Sequence, residues 1–235
     1  MKEVIVKAYE FDELDDKAKE KAREWFRSGN CDDNSWSECT LEEAEEQAAL
    51  MGIDITNNKD SRGAHIYWSG FWSQGDGACF EGTWRASDVK ADKVADGWGE
   101  HPATTGIKRI AAVFAEIAKK YPHASFTVKH RGHYSHEHCT EFDFNSGHEY
   151  CEPKDLESFR DSDDQTDDGL SDKMDDCFFQ GTDDELKEAA KDFMRWIYRQ
   201  LEKEYEYQNS DEQVDDNIRA NEYLFTESGS RSTVL

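Results

Sequence analysis

Apolar residues recur along this chain at two spacings, and each change of spacing marks a change of element. Residues 3–9 (EVIVKAY) read as a strand. Phe11 and Asp12 then open a helix with Asp12 as N-cap, carrying Leu14, Ala18, Ala22, Trp25 and Phe26 on one stripe and ending at Gly29. Thr40 and Glu43 form a capping box for a second helix, which runs through Met51 and stops at Gly52. Period-two alternation follows. Ile66, Trp68, Gly70 and Trp72 share one face of a strand over 65–72, and Phe80, Gly82 and Trp84 share one face of a second over 78–85. Residues 73–77 join them.

Beyond a meander over 86–105, Ile107, Ile110, Ala111, Phe114, Ile117 and Tyr121 mark a third helix, closed by Pro122. A second hairpin pairs 125–130 with 138–144, turning through 131–137. Thr182 and Glu185 cap a long helix carrying Leu186, Ala190, Phe193, Ile197, Leu201 and Tyr205. Ser210 with Gln213 begins a last short helix ending near Phe225, ahead of a polar, frayed tail. The order β-α-α-β-β-α-β-β-α-α predicts an α+β fold, with an antiparallel sheet built from hairpins and covered by amphipathic helices. The expected organisation is an α+β core over 1–150, an acidic loop over 151–182, C-terminal helices over 183–225 packing on the core, and a frayed tail over 226–235.

Composition sharpens this picture. Only 36% of residues are hydrophobic, yet seven Trp, nine Tyr and thirteen Phe supply large buried areas. The six cysteines show neither a CxxC pair nor a regular framework. With no signal-peptide pattern at the start, they read as reduced thiols of a cytoplasmic protein. No apolar run is long enough to span a bilayer.

Charge changes the picture most. The net charge is −25 over 235 residues, and residues 152–185 alone hold 14 Asp or Glu against three Lys or Arg. Self-repulsion on this scale works against compactness. Binding to nucleic acid or to an anionic membrane depends on cations displacing counterions, so neither is expected as a direct partner. A basic protein partner is. The residues expected to meet it are Glu42, Glu43, Glu45 and Glu46 on the second helix, with Asp161, Asp163, Asp164, Asp167, Asp168, Asp172, Asp175 and Asp176 in the acidic segment. The alternative is that the acidity serves solubility alone.

Three further patterns carry candidate chemistry. Gln74 and Asp76, flanked by Gly75 and Gly77, sit where backbone amides could face a ligand; a hairpin turn in which Asp76 bonds its own backbone accounts for the same residues and is preferred. No basic residue follows within that turn, which disfavours a phosphate loop. His136 and His138, two apart on a strand, could share one ion with His133 or Cys139 added by the turn, although Glu137 would face away and incidental histidines are the simpler reading. A hydrolase would need a general base beside the ion. Finally, Asp164, Thr166, Asp168, Gly169, Asp172 and Asp175 make half an EF-hand pattern, without the closing Glu. No resident cofactor is expected; a transition metal at the histidines and calcium at the acidic run are the alternatives. No nucleophile elbow, Walker motif or dinucleotide fingerprint occurs.

Residues 68–80 (WSGFWSQGDGACF) resemble a motif of small phage and prophage accessory proteins. The opening Tyr9-Glu10-Phe11-Asp12-Glu13-Leu14 and the late segment 221–227 (NEYLFTE) resemble the same proteins. That resemblance implies a protein acting inside an infected bacterium. By analogy with acidic phage proteins, it implies an anti-defence role: stoichiometric inhibition of a CRISPR–Cas or restriction complex, with carboxylates mimicking DNA in a basic groove. The competing readings are a metal-binding protein or metallohydrolase at residues 130–139, and a phage interaction protein of another kind.

Overall fold

The computed structural model describes residues 7–30, 35–55, 66–145 and 182–232. It is an α+β protein. The described elements are α1 (Asp16–Asn30), α2 (Glu38–Leu50), β1 (Ile53–Ile55), β2 (Ile66–Ser69), β3 (Gly77–Phe80), β4 (Gly82–Arg85), α3 (Pro102–Lys120), β5 (Ser125–His130), β6 (Thr140–Asn145), α4 (Thr182–Gln208) and α5 (Asp211–Ala220). Both sheets are antiparallel: four strands in the order β1-β4-β5-β6, and the β2-β3 hairpin. No described helix is long and apolar enough to cross a membrane.

The chain divides into two compact units that do not follow sequence order: Met1–Thr40 with Leu201–Leu235, and Leu41–Gln200. This differs from the sequential organisation expected, because the first helix finds its partners near the C-terminus.

In the larger unit the organising side chain is Trp84, fully buried in β4. It pairs across the sheet with Phe126, and the two rings stack at 5.5 Å. Phe114 of α3 packs 5.7 Å away, and the indole N–H donates to the Met51 carbonyl at 3.0 Å. That bond satisfies the one polar group a buried Trp carries. The helical stripe Ile107, Ile110, Ala111, Phe114 and Ile117 is buried as its period predicts. Phe193 of α4 meets Phe80 of β3 at 5.8 Å.

Several boundaries differ from the expected ones, each for a local reason. Residues 78–85 are two strands, not one. β3 pairs with β2 and β4 enters the other sheet, with Glu81 between them turned to accept from the His130 backbone N–H at 3.1 Å. β2 ends at Ser69, so Trp72 leaves the face it was expected to share with Ile66 and Trp68. Helix α2 begins at Glu38, two residues before Thr40, since nothing between Ser37 and Thr40 breaks it. Residues 137–139 form a 3-10 turn, and the following strand starts only at Thr140. The strand β1 is not among the expected elements: Ile53 and Ile55 are buried and Asp54 exposed, an alternation of three residues only.

In the smaller unit Phe11, Leu14, Ala18 and Ala22 pack with Val214, Ile218 and Phe225. Asp12 does not cap α1. Its carboxylate is held by Arg219 at 3.0 Å, and Asp15 accepts from the Ala18 N–H at 2.8 Å in its place. A bidentate pair joins Arg23 to Asp215, both bonds 2.7 Å, and holds the guanidinium charged well above its usual range. The predicted cap at Ser210 is present, accepting from the Gln213 N–H at 3.3 Å.

The tail is not frayed over its described length. Arg231 bridges to Phe225, its guanidinium lies 4.4 Å from the Tyr223 ring centre, and the Ser232 N–H donates to the Leu224 carbonyl at 2.8 Å. Gly229 makes the approach possible: its φ is +79°, and a Cβ there would stand 2.1 Å from the Ala18 carbonyl oxygen. Gly229→Ala should therefore cost about 2 kcal/mol in urea unfolding. A frayed tail would leave stability unchanged.

Candidate functional site

Two segments that the sequence separates by some sixty residues meet in the larger unit. The first is the β2-β3 connection, residues 70–76. Its shape is set by Asp76, whose Oδ2 accepts from the backbone N–H of Trp72 at 3.0 Å and of Ser73 at 2.6 Å. Gly70 (φ +25°) and Gly75 (φ +100°) supply backbone angles that other residues resist. Asp76 thus bonds its own turn, and its carboxylate is occupied rather than offered to a ligand. Gln74 is exposed.

The second segment is 133–139. A Cβ on Gly75 would meet the Tyr134 ring at 2.8 Å, and one on Gly77 would meet the His136 ring and the Ser135 carbonyl at 3.0 Å. The glycines of the motif therefore let the hairpin lie flush against this loop. Their role is close approach, which a sequence reading of turn chemistry did not reveal.

An aromatic platform surrounds the junction. Phe71 lies 5.9 Å from Trp68 and from Trp72, and 5.5 Å from Tyr198, whose hydroxyl donates to the Gly70 carbonyl at 3.0 Å. Trp72 remains 77% exposed and Tyr134 56%. On the neighbouring strands Tyr67 stacks on His130 at 4.6 Å, and Glu81 reaches both the Tyr67 hydroxyl at 3.4 Å and the His130 backbone.

The histidine cluster is real but differently composed. In the 3-10 turn successive side chains fan out by roughly 120° instead of alternating, so Glu137 joins His136 and His138 rather than facing away. The Glu137 carboxylate lies 3.0 Å from His136 Nδ1 and 3.9 Å from His138 Nε2, and the three donor atoms fall within 4.8 Å of one another. Glu137 is buried, with Arg195 at 3.6 Å. His133 stands outside the group, its ring against Tyr134 at 5.4 Å.

Cys79 lies close by without being reactive. Burial, with the nearby Cys139, Glu81 and Glu137, pushes its thiol up to about 12, so it is protonated at neutral pH and unsuited to nucleophilic attack.

The four glutamates of α2 are close in sequence but spread around the helix. Glu42 and Glu46 are exposed opposite the buried Ala44, Gln47 and Ala48, while Glu43 and Glu45 flank that buried side, about 100° to either side of it, Glu45 half-buried. Glu43 and Glu45 are both shifted upward, by partial burial first and then by Glu46 and Glu42 respectively. The charged neighbours they feel are like charges. Asp161, Asp163, Asp164, Asp167, Asp168, Asp172, Asp175 and Asp176, and with them the half EF-hand pattern, lie outside the described residues.

A family model matches residues 36–211, well over half the chain, and so takes in both the glycine-rich turn and the histidine loop. The protein belongs to the DUF8835 family. That family is described as a domain of unknown function. No curated protein and no solved structure matches. For this DUF8835 chain, function must therefore be argued from the site itself. One property of that site is directly measurable. Native alkylation at pH 8 should modify the exposed Cys39 and spare Cys79 until the protein unfolds, as read by mass spectrometry of labelled peptides. Labelling of native Cys79 at the rate of Cys39 would show that the hairpin does not bury it.

Proposed function

We propose that the protein acts by binding: it seats Trp72 and its aromatic neighbours on a basic protein partner, and its excess carboxylates guide the encounter. The single observation that carries this is Trp72 itself, 77% exposed on a turn whose backbone Asp76 fixes. An aromatic side chain of this kind offers about 150–250 Å², so its full burial would contribute roughly 4–6 kcal/mol at about 25 cal/mol per Å². Folding leaves most of that unrealised. Trp on a preorganised scaffold is the residue type that most often dominates a protein interface, because little entropy is lost when it docks.

The four glutamates of α2 supply the long-range component. They fall within five consecutive residues, about 6 Å of helix axis at 1.5 Å per residue. DNA carries one charge per ~1.7 Å, so the local densities are comparable. The partner class this favours is a protein with an Arg- and Lys-rich nucleic-acid channel. Together with the phage-protein resemblance of residues 68–80, the reading becomes an anti-defence inhibitor of a CRISPR–Cas or restriction effector.

The test is capture from bacterial lysate at 50 and 500 mM salt. Wild type should retain a nucleic-acid-binding protein at low salt and lose it at high salt. Trp72→Ala should weaken capture about tenfold or more with an unchanged Tm. Equal capture by the variant, or by wild type at both salts, would refute the reading.

A second reading rests on Glu137. Its carboxylate completes a His–Glu–His donor set of the kind that holds Zn²⁺ or Fe²⁺ with positions left open. Arg195 would have to yield its place, and Glu188 and Asp192 are already beside it to receive it. Titration calorimetry with Zn²⁺ at pH 7.5 should show a stoichiometric site, weakened about tenfold or more by His138→Ala. Heat that is absent, or indifferent to that exposed histidine, would remove this alternative.

A further inference from the structure

Seven of the nine described arginines are engaged. Arg23, Arg27, Arg85, Arg131, Arg195 and Arg219 pair with carboxylates, and Arg231 lies over the rings of Trp25 and Tyr223. Arg109 and Arg199 make no ion pair, hydrogen bond or ring contact with a described residue. In a chain where 53 carboxylates face 28 basic side chains, a guanidinium left without a partner is unexpected. Two of them line the same groove.

That groove, about 250 Å³, runs between α3 and α4 within the larger unit. Gly106, Arg109, Ile110 and Val113 contribute from α3 at helical spacing i, i+3, i+4 and i+7; Ala189, Asp192, Trp196 and Arg199 contribute from α4 at i, i+3, i+7 and i+10. The walls divide by chemistry. Ile110, Val113, Ala189 and Trp196 offer an apolar surface, and the two arginines offer planar forks of N–H donors. Asp192 is the one carboxylate lining the groove, and it is already held by Arg195 at 3.1 Å. The indole N–H of Trp196 is likewise committed, donating to the Ala103 carbonyl at 3.1 Å. The groove's own polar groups are therefore satisfied, and Arg109 and Arg199 are what remains for a ligand.

We infer that this groove is a binding site for a small organic oxyanion, a carboxylate or phosphate monoester carried on a compact apolar body. Guanidinium groups recognise both head groups through paired hydrogen bonds. The volume lies just below the usual range for drug-sized ligands, which restricts the body to about one ring. The site is independent of Trp72 and of the histidine loop, and it stands whether or not the protein binds a basic partner.

The experiment is calorimetric titration of the full chain at low salt with benzoate, phenyl phosphate, inorganic phosphate and benzyl alcohol. Benzoate or phenyl phosphate should bind with Kd below about 1 mM. Inorganic phosphate should bind more weakly and benzyl alcohol not at all, since one lacks the body and the other the charge. The preference between the two aromatic acids identifies the head group. Arg109→Gln and Arg199→Gln should each weaken binding about tenfold or more, with the Tm of the free protein unchanged because neither side chain bonds to the fold. Asp192→Asn should tighten it by removing the negative charge from the groove. Absence of binding at 10 mM, equal binding of benzyl alcohol, or affinity unmoved by both arginine substitutions would overturn the assignment.

Discussion

Mutual repulsion of carboxylates is the constraint under which the rest of this protein is built. With 53 acidic residues and 28 basic ones, most carboxylates must be left in water, and each arginine is valuable where two segments have to be held together. The smaller unit shows this plainly. Its first helix and its last are far apart in sequence and opposite in charge: Asp16–Asn30 carries five basic and three acidic side chains, Asp211–Ala220 four acidic and one basic. They are joined by Arg23 on Asp215, Arg27 on Asp211, and Arg219 reaching back to Asp12. An exposed pair of this kind is worth little alone, but several of them across two oppositely charged helices fix how the helices align. Beneath them Phe11, Phe225 and Trp25 supply the apolar contact that the ion pairs align.

The same constraint explains the contrast between Glu137 and the α2 glutamates. Glu137 is buried, and it is surrounded by His136, His138 and Arg195. Glu43 and Glu45, only partly buried, have other glutamates for charged neighbours, and their upward shift records that they are less comfortable ionised in the folded protein than in a free chain. Stability linked to them is therefore fully present at low pH and declines as pH rises through their raised values. A fold under selection for stability alone has easy remedies for this, since a Lys one turn away would suffice. Four glutamates crowded into five residues are thus a cost that the fold carries, and the proposed basic partner would relieve it.

Much of the architecture was legible because it follows from period. The stripe from Ile107 to Ile117 repeats at helical spacing and is buried as written. Phe80 and Trp84 alternate correctly, although the strand carrying them breaks at Glu81. What failed to show in the sequence depends on partners distant along the chain. Asp12 looks like an N-cap until Arg219, 207 residues away, claims it. Glu137 looks turned away from its histidines until the segment proves to be a 3-10 turn rather than strand. Gly75 reads correctly as a turn residue, whereas Gly70 reads as strand but lies beyond β2 and Gly77 reads as turn but begins β3; the reason Gly75 and Gly77 must lack a side chain is Tyr134 and His136, which no local pattern announces. The free state of Arg109 and Arg199 is invisible in the same way, because being unpaired is a property of the whole packed structure.

Taken together, the exposed groups fall into two ranges of action. The field of a −25 protein is felt over about a Debye length, roughly 8 Å at physiological salt, and it selects partners by sign while saying nothing about their shape. In the proposed binding role Trp72 would act only at contact, selecting by shape while saying nothing about charge. Either alone would be promiscuous: bare acidity attracts any basic surface, and a bare indole any apolar pocket. On the proposed reading the two together would define a narrow class of surface, a cationic wall beside a cleft deep enough for an indole. Nucleic-acid-binding proteins provide such surfaces, because the channels that grip phosphates with arginine also stack bases on apolar floors. The Asp76 turn matters to this argument more than the tryptophan's size. If the turn were mobile, ordering it on contact would consume much of what indole burial contributes; held by two hydrogen bonds to one carboxylate oxygen, it presents Trp72 already in place.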